Sequence, residues 1–141
     1  MLETIVAVFL VLGAAPAPQK VEPFAGTWIA EFKGTVWIRL ELSASAGSLR
    51  GRLAIGDMEV DTEGRVKAAQ KAPDQGSPVL DIVVRDSTLA FARKDGADTD
   101  RFQLRLVDGE AELSFVLDEA TRKALMDDGV PPPKPVRLRR Q

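Results

Sequence analysis

The chain has no cysteine, no histidine and no tyrosine among its 141 residues. Without cysteine there is no thiol nucleophile, no thiolate zinc site, no disulfide and no lipoprotein anchor; without histidine the commonest general base and metal ligand is missing. Carboxylate pairs and Ser with Lys are the catalytic kits that remain, so the composition points away from an enzyme, and no cofactor is expected. No charge of one sign predominates either. Nineteen Lys and Arg stand against 21 Asp and Glu, interspersed, for a formal net charge of −2. Such a chain offers no field to attract nucleic acid or an anionic membrane, and neither is expected as a partner.

Long apolar runs are also lacking. The one strongly apolar stretch, Thr4 to Gly13 in TIVAVFLVLG, is about half of what a membrane-spanning helix needs. Small residues follow at Ala14, Ala15 and Ala17, so residues 1–17 read as a signal peptide and residues 18–141 as a mature domain that is periplasmic or secreted. Glu3 precedes the apolar stretch where a Lys or Arg is usual, and cleavage after Ala17 leaves Pro18 beside the cut; an uncleaved anchor and a misassigned start are the alternatives. The length suits one domain with one core.

What is present after the leader is alternation of apolar and polar residues. LRGRLAIGDMEVDTEG reads as a hairpin around Gly56-Asp57, with Ile55 facing Met58 and Leu53 facing Val60, and with Arg52 opposite Asp61 and Arg50 opposite Glu63 on the other face. The same reasoning places a turn at Asp86-Ser87, matching Val84 with Leu89 and Ile82 with Phe91. Another falls at Asp108-Gly109, matching Leu106 with Ala111, Leu104 with Leu113 and Arg105 with Glu112. The opening segment turns through Lys33 to Thr35, setting Trp28 beside Leu40 and Phe32 beside Val36. Four hairpins make eight strands. A helix follows, capped by Asp118 and stopped by Gly129 and Pro131, and KPVRLRRQ suits a short last strand at a sheet edge. The predicted fold is all-β: an eight-stranded antiparallel up-and-down barrel with one short C-terminal helix and a short last strand.

Gly26-x-Trp28 at the start of the first strand, eight meandering strands, a helix after the eighth and a short last strand resemble the lipocalin and wider calycin plan. That resemblance implies a late arginine lying over Trp28, for which Arg137 and Arg139 are the candidates. GTWIAEFKGTVWIRLELSASAGSLRGRL is also similar, more weakly, to the first strands of avidin. Ala30 stands where that family has an amide on its ligand and no later Trp walls a pocket, so biotin is not the expected ligand. Haem-binding barrels that begin with Gly-Thr-Trp use a histidine that this chain lacks.

The inward phase collects large apolar side chains, enough to fill an eight-stranded barrel or to line a pocket for a lipophile without a demanding head group; both remain open. Thr62 is the one clear mid-strand polar residue on that face. Arg93 and Asp100 oppose each other at the rim when Phe91 aligns with Phe102, as an ion pair or a ligand-reading pair. The candidate ligand-binding residues are Trp28, Phe32, Thr62, Phe91, Arg93, Asp100 and Phe102. Trp37, with outward phase, is the candidate partner-binding residue. Asp95, Asp98 and Asp100 lack the ligand spacing of a calcium loop, so no metal is expected. The tight hairpins are expected at one end, and the longer connections with the helix at the end near Trp28. The sequence thus suggests an exported, non-catalytic lipocalin-like barrel that binds a small lipophilic molecule. The alternative is a filled structural barrel with a protein partner, as an envelope-protease inhibitor or accessory domain.

Overall fold

Residues 20–141 are described by the structure, a computed structural model; the expected signal peptide, residues 1–17, lies outside the described residues. A 3-10 turn at Glu22–Phe24 leads into β1 (Gly26–Phe32), β2 (Thr35–Ser45), β3 (Ser48–Ile55), β4 (Met58–Val60), β5 (Val66–Ala69), β6 (Ser77–Pro78), β7 (Leu80–Arg85), β8 (Thr88–Asp95), β9 (Asp98–Val107) and β10 (Glu110–Val116), then α1 (Glu119–Asp127) and β11 (Val136–Arg140).

Tight turns set most of the neighbours. Lys33-Gly34, Ala46-Gly47 and Asp108-Gly109 have positive φ at both positions, the two-residue hairpin conformation whose twist matches that of the flanking strands. The expected pairs Val84 with Leu89, Leu106 with Ala111, Leu104 with Leu113, Arg105 with Glu112, Phe91 with Phe102 and Arg93 with Asp100 all form. Ile82 does not meet Phe91, because a bulge between Leu80 and Val83, with Asp81 at φ 53, shifts the register.

Nine strands form one antiparallel sheet, in the order β6-β3-β2-β1-β11-β10-β9-β8-β7. Its two ends, β6 and β7, are nearly consecutive in the chain: Ser77 and Pro78 pair with β3, Val79 N–H donates to the Gly51 carbonyl at 2.9 Å, and from Leu80 the same segment pairs with β8. One extended segment therefore bridges both edges, and the sheet curls into a nearly closed barrel. The all-β barrel with one helix and a short C-terminal strand holds. β11 is not at an edge, however: it pairs with both β1 and β10, and Leu138 on its inner face is fully buried.

The Gly56-Asp57 hairpin does not form. Gly56 N–H donates to the Trp37 carbonyl at 2.8 Å, which keeps β3 on β2, and the chain then leaves the barrel. β4 pairs with β5 in a separate two-stranded sheet. The returning chain passes so close that a Cβ on Gly56 would lie 1.9 Å from the Gln70 carbonyl oxygen. The expected pairs of Arg52 with Asp61 and Arg50 with Glu63 are lost with that hairpin. Asp61 instead accepts the N–H groups of Glu63 and Arg65 in its own turn, and Arg52 donates to the Gly76 carbonyl at 2.7 Å.

Removing β4 from the barrel reverses the direction of every later element relative to the sequence expectation. Antiparallel register puts the β2–β3, β7–β8 and β9–β10 turns at the Trp28 end. The β1–β2 and β8–β9 turns, the β4–β5 hairpin and α1 lie at the opposite end, not with Trp28 as the sequence suggested.

Side chains fill the barrel between these ends. Trp28, Ile38, Leu40, Leu53, Leu89, Leu104, Leu113 and Leu138 are fully buried in one apolar cluster, and among the described residues no polar or charged residue is buried. This is an interior packed by side chains, as eight-stranded barrels allow. α1 differs. Asp118 caps it through the Thr121 N–H at 2.7 Å and Gly129, at φ 71, ends it, as the sequence indicates, but the helix buries none of its residues.

Candidate functional site

Where β8 and β10 end and β9 begins, opposite Trp28, the barrel mouth opens into a cleft of about 420 Å³. Phe102 and Phe115 form its floor. Phe102 stacks on Phe91 at 5.3 Å and 21° and meets Phe115 edge-on at 5.8 Å and 63°, so the floor is an aromatic relay rooted in the core. Ile55 and Met58, where β3 gives way to β4, form one wall; Leu117 and Thr121, at the start of α1, form the other.

Arg93 and Asp100 stand at the cleft as the cross-strand pair that the register dictates, with Nε 3.3 Å from Oδ2. The Arg93 guanidinium also lies 5.8 Å from the centre of the Phe102 ring. Its side chain is only 16% exposed, against 40% for Asp100, so the arginine is largely withdrawn from water while its partner faces it. Asp118 borders the cleft too. The Thr121 backbone N–H, and then the Thr121 hydroxyl, hold its carboxyl below the usual range, so it is ionised at neutral pH.

The sequence candidates separate into those that reach the cleft and those that do not. Arg93, Asp100 and Phe102 line it and Phe91 backs it. Trp28 is at the other end: its Nε1 donates to the Phe24 carbonyl at 2.9 Å and its ring is covered by Arg140, 4.2 Å from the guanidinium. That arginine is Arg140, not Arg137 or Arg139, because β11 pairs Trp28 with Arg140. Arg137 instead bonds Glu110 and Glu112, and Arg139 bonds Glu31. Phe32 is half-buried beneath Lys33 and away from the cleft. Thr62 is exposed in the β4–β5 turn, since its strand is not part of the barrel.

Trp37 is not a surface residue. The β1–β2 ladder skips it, passing from Ala30 opposite Ile38 to Glu31 opposite Val36. A bulged residue is turned out of the normal alternation. Trp37 thereby enters the core at 2% exposure. Of the cleft residues not singled out from the sequence, Ile55, Met58, Phe115 and Leu117 all had inward phase at strand ends, whereas Asp57, Thr99, Arg101, Val116 and the helix residue Thr121 carried no such signal. Asp95 and Asp98 flank the Gly96-Ala97 turn and Asp100 is taken by Arg93. Among the described residues no group of three or more acidic side chains could hold a metal ion.

Fold and cleft together define an antiparallel, nearly closed β-barrel with a packed axis and an open apolar mouth, an architecture compatible with binding a ligand or a protein. Comparison with protein-family models, with curated proteins and with solved structures finds no match. No helix among the described residues is long and apolar enough to cross a membrane.

Proposed function

We propose that the protein is an exported, lipocalin-like barrel that binds a small lipophilic molecule without transforming it, and that the molecule sits in the mouth cleft and not along the barrel axis. The observation that carries this is the cleft itself: about 420 Å³, floored by Phe102 and Phe115, with a part-buried ion pair at its side. Small-molecule sites combine this size with apolar walls and a few convergent polar groups. The lipocalin likeness is supported by the Trp28 end, where a 3-10 turn, Gly-x-Trp and a late arginine over the indole come together. Export rests on the apolar stretch Thr4 to Gly13 and the small residues after it; N-terminal sequencing of the protein from its host tests it, with a start near Pro18 expected. Binding without catalysis rests on a chain that has neither histidine nor cysteine.

Titration with the fluorescent hydrophobe 1-aminoanthracene tests the site. Wild type is expected to bind and enhance its emission, and Phe115→Asp, which puts a charge on the cleft floor, is expected to weaken binding at least about tenfold. No binding by the wild type, or full binding by Phe115→Asp, would contradict the proposal.

A further inference from the structure

α1 packs little against the rest of the fold, and none of its residues belongs to the apolar core. It has nine residues, none buried, and a helix that short is marginal without tertiary support. Its half-buried Leu125 is one turn from Thr121, so the two share a face. Thr121 borders the mouth cleft, while Leu125 borders a second groove of about 390 Å³ walled by Val60, Val130, Pro131 and Pro133. Met58 lines both spaces. The same helical face thus overlooks two adjoining hollows whose apolar walls are edged by charged side chains, Glu59 and Lys67 at the second, with one flexible, unbranched side chain at the waist between them.

We infer that the two hollows are one bent channel beneath α1, and that the ligand is a linear alkyl chain with a small uncharged polar head. The inference rests on the proposed lipophile site and names its ligand class. The head lies at Arg93 and Asp100, which together offer donor and acceptor and neutralise each other, with Arg101, Asp57 and Asp118 also at the cleft. The tail passes Met58 and runs under Leu125 toward Pro131 and Pro133. A compact hydrophobe of the same carbon count can fill the mouth but cannot extend into the groove. The chain also supplies the apolar contact that the helix lacks, so binding adds helical order.

Displacement of 1-aminoanthracene by primary alcohols tests this. From hexanol to dodecanol, affinity is expected to rise about fourfold per methylene, the increment for burying each CH₂. Decanol is expected to bind at least about tenfold tighter than 1-adamantanol, which has as many carbons. Leu125→Asp leaves the barrel core untouched and is expected to flatten the series beyond the short alcohols while hexanol binding persists. Far-ultraviolet dichroism should gain helical signal with dodecanol and not with adamantanol. If adamantanol binds as tightly as decanol, or Leu125→Asp leaves the series unchanged, the channel is wrong although a lipophile site stands. If neither the fluorophore nor any alcohol binds, the site and the channel both fall.

Discussion

One residue inserted into a strand decides whether an indole is surface or core. Trp37 sits at the skipped position of the β1–β2 ladder and is buried, whereas strict alternation would leave it outside. Trp37→Ala should therefore destabilise the protein by about 3–5 kcal/mol in urea unfolding, as large aromatic deletions in cores do, and not by the half kilocalorie typical of a surface change. At the other end, Gly26 has φ 129 and a Cβ there would lie 2.7 Å from Arg140 Nη1. Gly26→Ala should cost about 1–3 kcal/mol for the strained backbone and push Arg140 off the Trp28 ring, visible as a change in tryptophan emission. The sequence showed Trp28 beside Leu40 because their alternation is unbroken. It hid Trp37 because a three-residue loop with regular strands and a two-residue turn with a bulge produce the same string of letters, and only the Lys33-Gly34 geometry separates them.

Among the elements, the β4–β5 excursion and α1 carry the departures from the sequence pattern. Gly56-Asp57 has the chemistry of a hairpin turn and the flanking residues alternate correctly, yet the Gly56 N–H bonds the Trp37 carbonyl and the chain departs. Local turn chemistry does not register that Ser77 and Pro78, more than twenty residues on, compete for the free edge of β3. Gly56→Ala places a methyl group against the Gln70 carbonyl, backbone against backbone, and is expected to destabilise by about 3 kcal/mol, the upper part of the overpacking range, in denaturant titration. α1 was legible from its caps, since Asp118 and Gly129 act through local backbone geometry. The hydrogen bond from the Thr121 N–H keeps the Asp118 carboxyl below its ordinary range, so its stabilisation of the helix is complete above the unfolded carboxylate range and is lost as pH falls through the lowered folded value. Helical dichroism should decline in that acid window in wild type; in Asp118→Asn, whose amide oxygen caps without titrating, the decline should be absent.

For the molecule as a whole, barrel closure and the filled axis determine where a ligand can sit. Eight of the nine barrel strands correspond to segments read as extended from the sequence. What escaped the sequence was which segment closes the ring, because a two-residue strand such as β6 is too short to show a period. That misassignment alone moved the helix to the wrong end and separated Trp28 and Thr62 from Arg93, Asp100 and Phe102; Phe32 is at their end of the barrel but does not line the cleft. The register of β8 with β9 rests on local alternation, and the second group therefore survives as the cleft. With Leu40, Leu53, Leu113 and Leu138 occupying the axis at full burial, a lipophile has room at the mouth and not along the axis. Methyl-resolved NMR of the protein titrated with 1-aminoanthracene tests this most directly. Shifts confined to Ile55, Met58 and Leu117 are expected, with Leu40, Leu53, Leu113 and Leu138 unmoved; saturable shifts of those four core leucines, with the mouth methyls unchanged, would contradict it.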